Sequence, residues 1–117
     1  MNFRFFKGQN FFDIDVRLMN LFTQFIGLMF TFKNTKIRLF SYSKNSKIMI
    51  HSWFVFYPFL IVWLDDKKRI VAWKKVFPFT SCVVPPKKFR HFIEIPFNSS
   101  NKKILMNFIS KNEIEDI

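Results

Sequence analysis

Few residues in this chain have the types and spacing to do chemistry. His51 lies inside the long apolar run from Met49 to Leu64. There it can act as a base or donor at the floor of a pocket, or sit as a core histidine bonded to a main-chain carbonyl. Asp13 and Asp15 alternate on one strand, about 7 Å apart by strand spacing, a separation open to paired-carboxylate chemistry or a divalent ion. Both uses need further oxygen ligands or a raised pKa, so a solvated strand face with Arg17 as counterion fits them better. His91 and Glu94 are three apart on a strand and project to opposite faces, which argues against a direct acid–base pair. Glu94 is instead placed to pair with Arg90 or Lys88. Cys82 stands in a Pro-rich loop with no base beside it in sequence, and reads as a plain thiol. Asp65 and Asp66 fall in a turn, where Asp is favoured for main-chain reasons.

Composition narrows the chemistry further. The 117 residues fit one domain, and 50% are hydrophobic, too many for a disordered tail. Two Gly residues leave no Gly-rich phosphate loop, and one Cys leaves no internal disulfide framework. With two His besides, a Cys/His zinc site lacks ligands, and no metal or cofactor is expected. The 19 Lys and Arg against 8 Asp and Glu give a net charge of +11. Ten of those cations lie between Lys33 and Lys75 against Asp65 and Asp66, so that stretch holds +8. Joined to the Phe, Ile and Asn excess, the charge has the pattern that AT-rich codon usage produces. It also offers a polyanion a surface at Lys36, Arg38, Lys67, Lys68, Arg69, Lys74 and Lys75. Lys36 and Arg38 share a strand face with Phe40 and Tyr42, a mixture suited to phosphate contact and base stacking.

The elements that position these residues follow from periodicity. Phe12, Ile14, Val16 and Leu18 alternate with Asp13, Asp15 and Arg17, predicting a half-buried strand over 11–18. Leu18, Leu21, Phe22, Phe25 and Met29 then recur at helical spacing, predicting a short helix over 19–26 that stops near Gly27. Strands are predicted over 36–42, 47–56, 59–64, 69–77 and 89–95, with Ser43 to Ser46 as a polar connector and Asp65 to Lys68 as a hairpin turn. Pro78, Pro85 and Pro86 make 78–88 an extended loop. Ser99 or Ser100 is placed to cap a closing helix that runs to about Ile109. The run Met49 to Leu64 has 16 residues and contains His51, Ser52 and Pro58, so it predicts two strands rather than a membrane span. Arg4, Lys7, Gln9 and Asn10 interrupt the start of the chain, so no export signal is expected. The sum is an α+β domain, a small curved, mostly antiparallel barrel-like sheet of about six strands with one or two short helices.

Four segments, in order, carry a resemblance to a known family. Ile26-Gly27-Leu28-Met29-Phe30 is similar to an Arg-Gly-Leu-Met-Phe/Tyr-Arg signature. Ile50-His51-Ser52-Trp53-Phe54-Val55-Phe56-Tyr57-Pro58 resembles an archaeal-type segment ending in Pro. Trp63-Leu64-Asp65 with Arg69-Ile70-Val71 is similar to a hairpin motif, and Phe92-Ile93-Glu94-Ile95-Pro96 to a closing strand after a Pro loop. Together, over residues 11 to 110, they resemble the domain-of-unknown-function family 192. Where that family has Arg flanks around Gly-Leu-Met, this chain has Ile26 and Thr31. Where the family has Asp two residues after the central Pro, it has Leu60. Phe97-Asn98 replaces the usual Gly after the closing strand. The resemblance implies a compact barrel-like α+β fold and no particular chemistry.

These readings set the expectations. Residues 1–10 form an N-terminal extension, 11–110 the domain and 111–117 a tail. The matched motifs converge on a candidate pocket near Met29, His51, Trp53, Pro58 and Pro85. The expected protein is a cytoplasmic monomer that binds an unidentified ligand or protein partner without catalysis. A nucleic-acid-associated basic protein is the alternative. A hydrolase-like enzyme using His51 or Asp13 and Asp15 is a weaker one.

Overall fold

A computed structural model describes residues 1–19, 35–49, 55–80 and 83–114, with the side chains of residues 44 and 45 excepted. The predicted helix over 19–26, the Gly27 stop, and Met29, His51, Trp53 and Cys82 lie outside the described residues, apart from Met19 at the start of that helix.

Six strands form one sheet: β1 (Asn2–Lys7), β2 (Asn10–Leu18), β3 (Ile37–Ser46), β4 (Phe59–Leu64), β5 (Ile70–Val76) and β6 (Phe89–Pro96). The order is β1-β2-β3-β6-β4-β5. The sheet is mixed: four of the five strand pairs are antiparallel, in keeping with the expectation of a mostly antiparallel sheet, and the β2–β3 pair is parallel. The chain must cross over between Leu18 and Ile37, and such a connection brings the next strand in running the same way. β6 inserts between β3 and β4 and is antiparallel to both. The sheet curls until β1 meets the start of β5 at one bridge, Phe6 with Arg69, where the Phe6 N–H donates to the Lys68 carbonyl at 2.9 Å.

β1 lies within residues 2–7, inside the stretch set apart as an extension. Alternation buries Phe3 and Phe5 and exposes Asn2 and Arg4. Gly8, at φ 61°, supplies the positive φ that a tight β1–β2 turn demands. In β2 the alternation holds at Ile14 and Val16, but Leu18 is 52% exposed because it ends the strand. β3 runs on through Ser43 to Ser46, the predicted connector, with a bulge between Ser41 and Ser46. Lys47–Met49 and Val55–Pro58 are not strand, so the described parts of the predicted 47–56 strand do not form one. Pro58 accounts for part of this, since it donates nothing to a ladder.

All six residues of β4 are buried, because both faces of the sheet are covered there. Leu60, Val62 and Leu64 join Ile37, Leu39, Ile93, Ile95, Phe3, Phe5, Ile14 and Val16 inside the curl. Phe59, Ile61 and Trp63 face outward into a second core with Phe40, Phe92, Phe89, Tyr57 and Met19. Each such aliphatic or aromatic burial contributes about 1.5–3 kcal/mol. Asp65 shapes the β4–β5 turn, its Oδ1 accepting from the Lys67 and Arg69 N–H groups at 2.9 Å each, with Lys68 at φ 62°.

After β6 come a 3-10 turn (Ser99–Asn101), α1 (Lys102–Leu105) and α2 (Lys111–Ile114), which plug the curl with Leu105 and Ile114. The cap is not Ser99 or Ser100 but Asn98. Its Oδ1 accepts from the Asn101 N–H at 2.9 Å, while Asn101 Nδ2 donates to the Pro96 carbonyl at 3.0 Å. Ser99 and Ser100 are exposed and lie inside the turn, past its cap position.

Candidate functional site

The acidic pair of β2 is on the outer face, as its alternation demands, but Arg17 is not its counterion. Arg4 holds Asp13 with two bonds, Nε at 2.7 Å and Nη2 at 2.9 Å, because the register sets Arg4 opposite Asp13. Asp15 takes the Met1 α-amino group and Lys36 Nζ, each at 3.1 Å. Both carboxyls are held below the usual carboxylate range, Asp13 by the Arg4 hydrogen bond and Asp15 by those of the α-amino group and Lys36. Neither is a proton acceptor poised near neutral pH. Among the described residues no group of three or more His, Cys, Asp or Glu side chains converges to hold a metal ion.

The expected basic surface divides. Lys36, Lys67, Lys68, Arg69 and Lys74 are exposed, and Lys75 is half-buried over the Phe77 and Phe97 rings. Arg38 is 4% exposed and departs from that surface, as do its expected stacking partners. Phe40 lies against Phe92 with ring centroids 4.3 Å apart, and Tyr42 contacts Phe89 and Phe92. The face that alternation made basic and aromatic is the outer face of the curl, but it is covered by the second core.

On that face Arg38 stands opposite Glu94, and Glu94 opposite Ile61. Glu94 therefore neighbours neither Arg90 nor Lys88 in the ladder. Burial pushes its carboxyl up to about 8, partly offset by the Arg38 charge. Arg38 sends Nη2 to Thr35 Oγ1 at 2.8 Å and Nη1 toward Met19 Sδ at 3.5 Å. His91 projects to the opposite side of β6, edge-on to Phe3, with Nδ1 2.8 Å from Ser41 Oγ. Burial, then Lys68 and Arg90, holds its pKa below the ordinary histidine value. Of the expected pocket residues that are described, Pro58 is half-buried and accepts the Phe97 N–H at 3.1 Å, and Pro85 is buried.

A concave site opens elsewhere. β3 begins at Ile37, opposite Val16, so Asn10 to Asp15 of β2 overhang it. A groove of about 760 Å³ runs along this overhang, between β2, residues 35–37 and the turn and helix from Asn98 to Asn107. Its volume falls in the range of small-ligand sites. Apolar side chains (Phe12, Ile14, Ile37, Ile104) and polar ones (Lys36, Lys103, Asn107) share its walls. Met1 and Val16 exchange both main-chain bonds, at 3.1 and 2.8 Å. Such pairs recur at every second residue of an antiparallel ladder. Ile14 and Phe12 thus turn their N–H and C=O groups to β1, while Phe11 and Asp13 turn theirs to the groove and the Asp15 carbonyl goes to the β2–β3 ladder. Sequence reasoning singled out Asp13, Asp15 and Lys36 but not Lys103 or Asn107, because no local signal tells where two distant strands stop pairing.

No model of a known protein family matches the chain, and no curated protein matches it. Two solved structures share its fold. One is a candidate transcription regulator from Sinorhizobium meliloti 1021, with a TM-score of 0.70 and 14% identity over 86% of this chain and 82% of that one. The other is a protein of unknown function from Novosphingobium aromaticivorans DSM 12444, with a TM-score of 0.68 and 12% identity over 88% of this chain and 76% of that one. At these identities the likeness is one of fold. Among the described residues no helix is long and apolar enough to cross a membrane.

Proposed function

We propose that this chain is a non-enzymatic binding module of the cytoplasm, acting as a monomer, and that its ligand enters the groove beside β2. The observation that carries this reading is the 760 Å³ concavity along the part of β2 that extends past the start of β3. The acidic residues there are neutralised by ion pairs, which suits binding more than proton transfer. A nucleic-acid role draws support from the exposed Lys67, Lys68, Arg69 and Lys74, but the expected stacking rings Phe40 and Tyr42 are packed into the second core, away from those cations. We further propose membership of family 192. The hairpin motif falls on β4 and β5 and the closing motif on β6, in the order that the family has.

The test is a fragment screen followed by amide chemical shifts of the labelled protein. Shifts gathered on 11–15, 35–37 and 98–107 are expected. Shifts gathered on 67–75 with uridylate oligomers, and none at the groove, would replace this reading with the nucleic-acid one.

A further inference from the structure

Resting on the groove as the binding site, we propose that its ligand is an extended peptide, apolar and acidic at alternate positions, added as a strand to the edge of β2 over 11–14, which no strand pairs with among the described residues. Main-chain groups of Phe11 and Asp13 face the gap in the alternating pattern that an incoming strand pairs with, each residue giving one donor and one acceptor. A strand laid there turns every second side chain toward Phe12, Ile14, Ile37 and Ile104, which asks for apolar residues. The side chains between them face the rim. The rim carboxylates are already occupied, Asp13 by Arg4 and Asp15 by Lys36 and the α-amino group. Lys103 lines the groove, is exposed, and makes no ion pair among the described residues. It meets the acidic positions, and the net charge of +11 draws such a peptide in. Exposed edges are commonly blunted by charge pointing across them. Here the two Asp side chains are clamped on the sheet's outer face, so they do not block the edge.

The experiment titrates the labelled protein with a capped hexapeptide of alternating Val and Asp, and with two copies N-methylated at the odd or at the even positions. Binding with shifts at 11–15 and 98–107 is expected. One N-methylated copy should lose at least tenfold in affinity and the other should bind as before, because only one set of N–H groups faces β2. Lys103→Glu should weaken the Asp peptide at least fivefold and favour a Val–Lys peptide. Equal loss on both N-methylations, or none on either, overturns strand addition while leaving the groove as a site. Groove shifts with fragments but none with any peptide overturns the peptide and keeps the groove. Silence of the groove toward fragments and peptides alike overturns both.

Discussion

Glu94 is the residue whose chemistry departs furthest from its type. Its carboxyl is fully buried in the second core and stays neutral up to about 8, whereas in the unfolded chain it ionises near the ordinary value of 4.5. The sign follows from linkage. The raised native pKa contributes stability that is fully present below about pH 4.5 and is lost as pH rises through about 8. The slope in that window reaches about 1.4 kcal/mol per pH unit. Glu94→Gln, neutral at every pH, should flatten it. Urea unfolding of both proteins between pH 5 and 8 reads this, and parallel curves would show that Glu94 does not titrate this way. Asn98 is the second such residue. Asn98→Ala removes the acceptor for the Asn101 N–H and should cost about 1–2 kcal/mol, whereas Asn98→Asp should keep most of it. Thermal unfolding of the two variants separates the cap from the volume of the side chain.

At the scale of elements, β1 closes the curl and covers one edge of β2. Phe5 is fully buried, with its ring 5.2 Å from Phe12 and 6.4 Å from Phe108, so one side chain ties β1 to β2 and to the C-terminal plug. Phe5→Ala should cost about 3–5 kcal/mol by chemical denaturation. A loss under about 1 kcal/mol would mean that β1 is not a working part of the core. The element boundaries were partly legible. Strict alternation marked 11–18, and six consecutive apolar residues marked 59–64. By contrast β1 was missed because Phe3, Phe5 and Phe6 crowd Arg4 and Lys7 in a stretch too short for a clean period, and because its value lies in pairing with β2.

At the scale of the whole molecule, strand order makes the fold depend on its last strand. β3 and β4 do not pair with each other, and β6 joins them. A chain cut after Lys88 should therefore show no cooperative unfolding transition by circular dichroism, although it keeps five strands. A sharp transition in that fragment would mean that the two halves of the sheet hold together without β6. The same order demands pairing between residues far apart in sequence, the class of topology that folds in milliseconds to seconds.

Composition and period determined much by themselves: a strand-rich α+β class, a hairpin at Asp65, and a sequence without the Cys, His or Gly patterns of common metal or phosphate sites. These are local properties, set by neighbours along the chain. Tertiary structure decided the rest. It covered Arg38, Phe40 and Tyr42 with a second core, since alternation tells which residues share a face but not which faces are covered. It set Glu94 opposite Arg38, and it made β2 outrun β3 to leave a groove, since register between distant strands is fixed only when the sheet assembles.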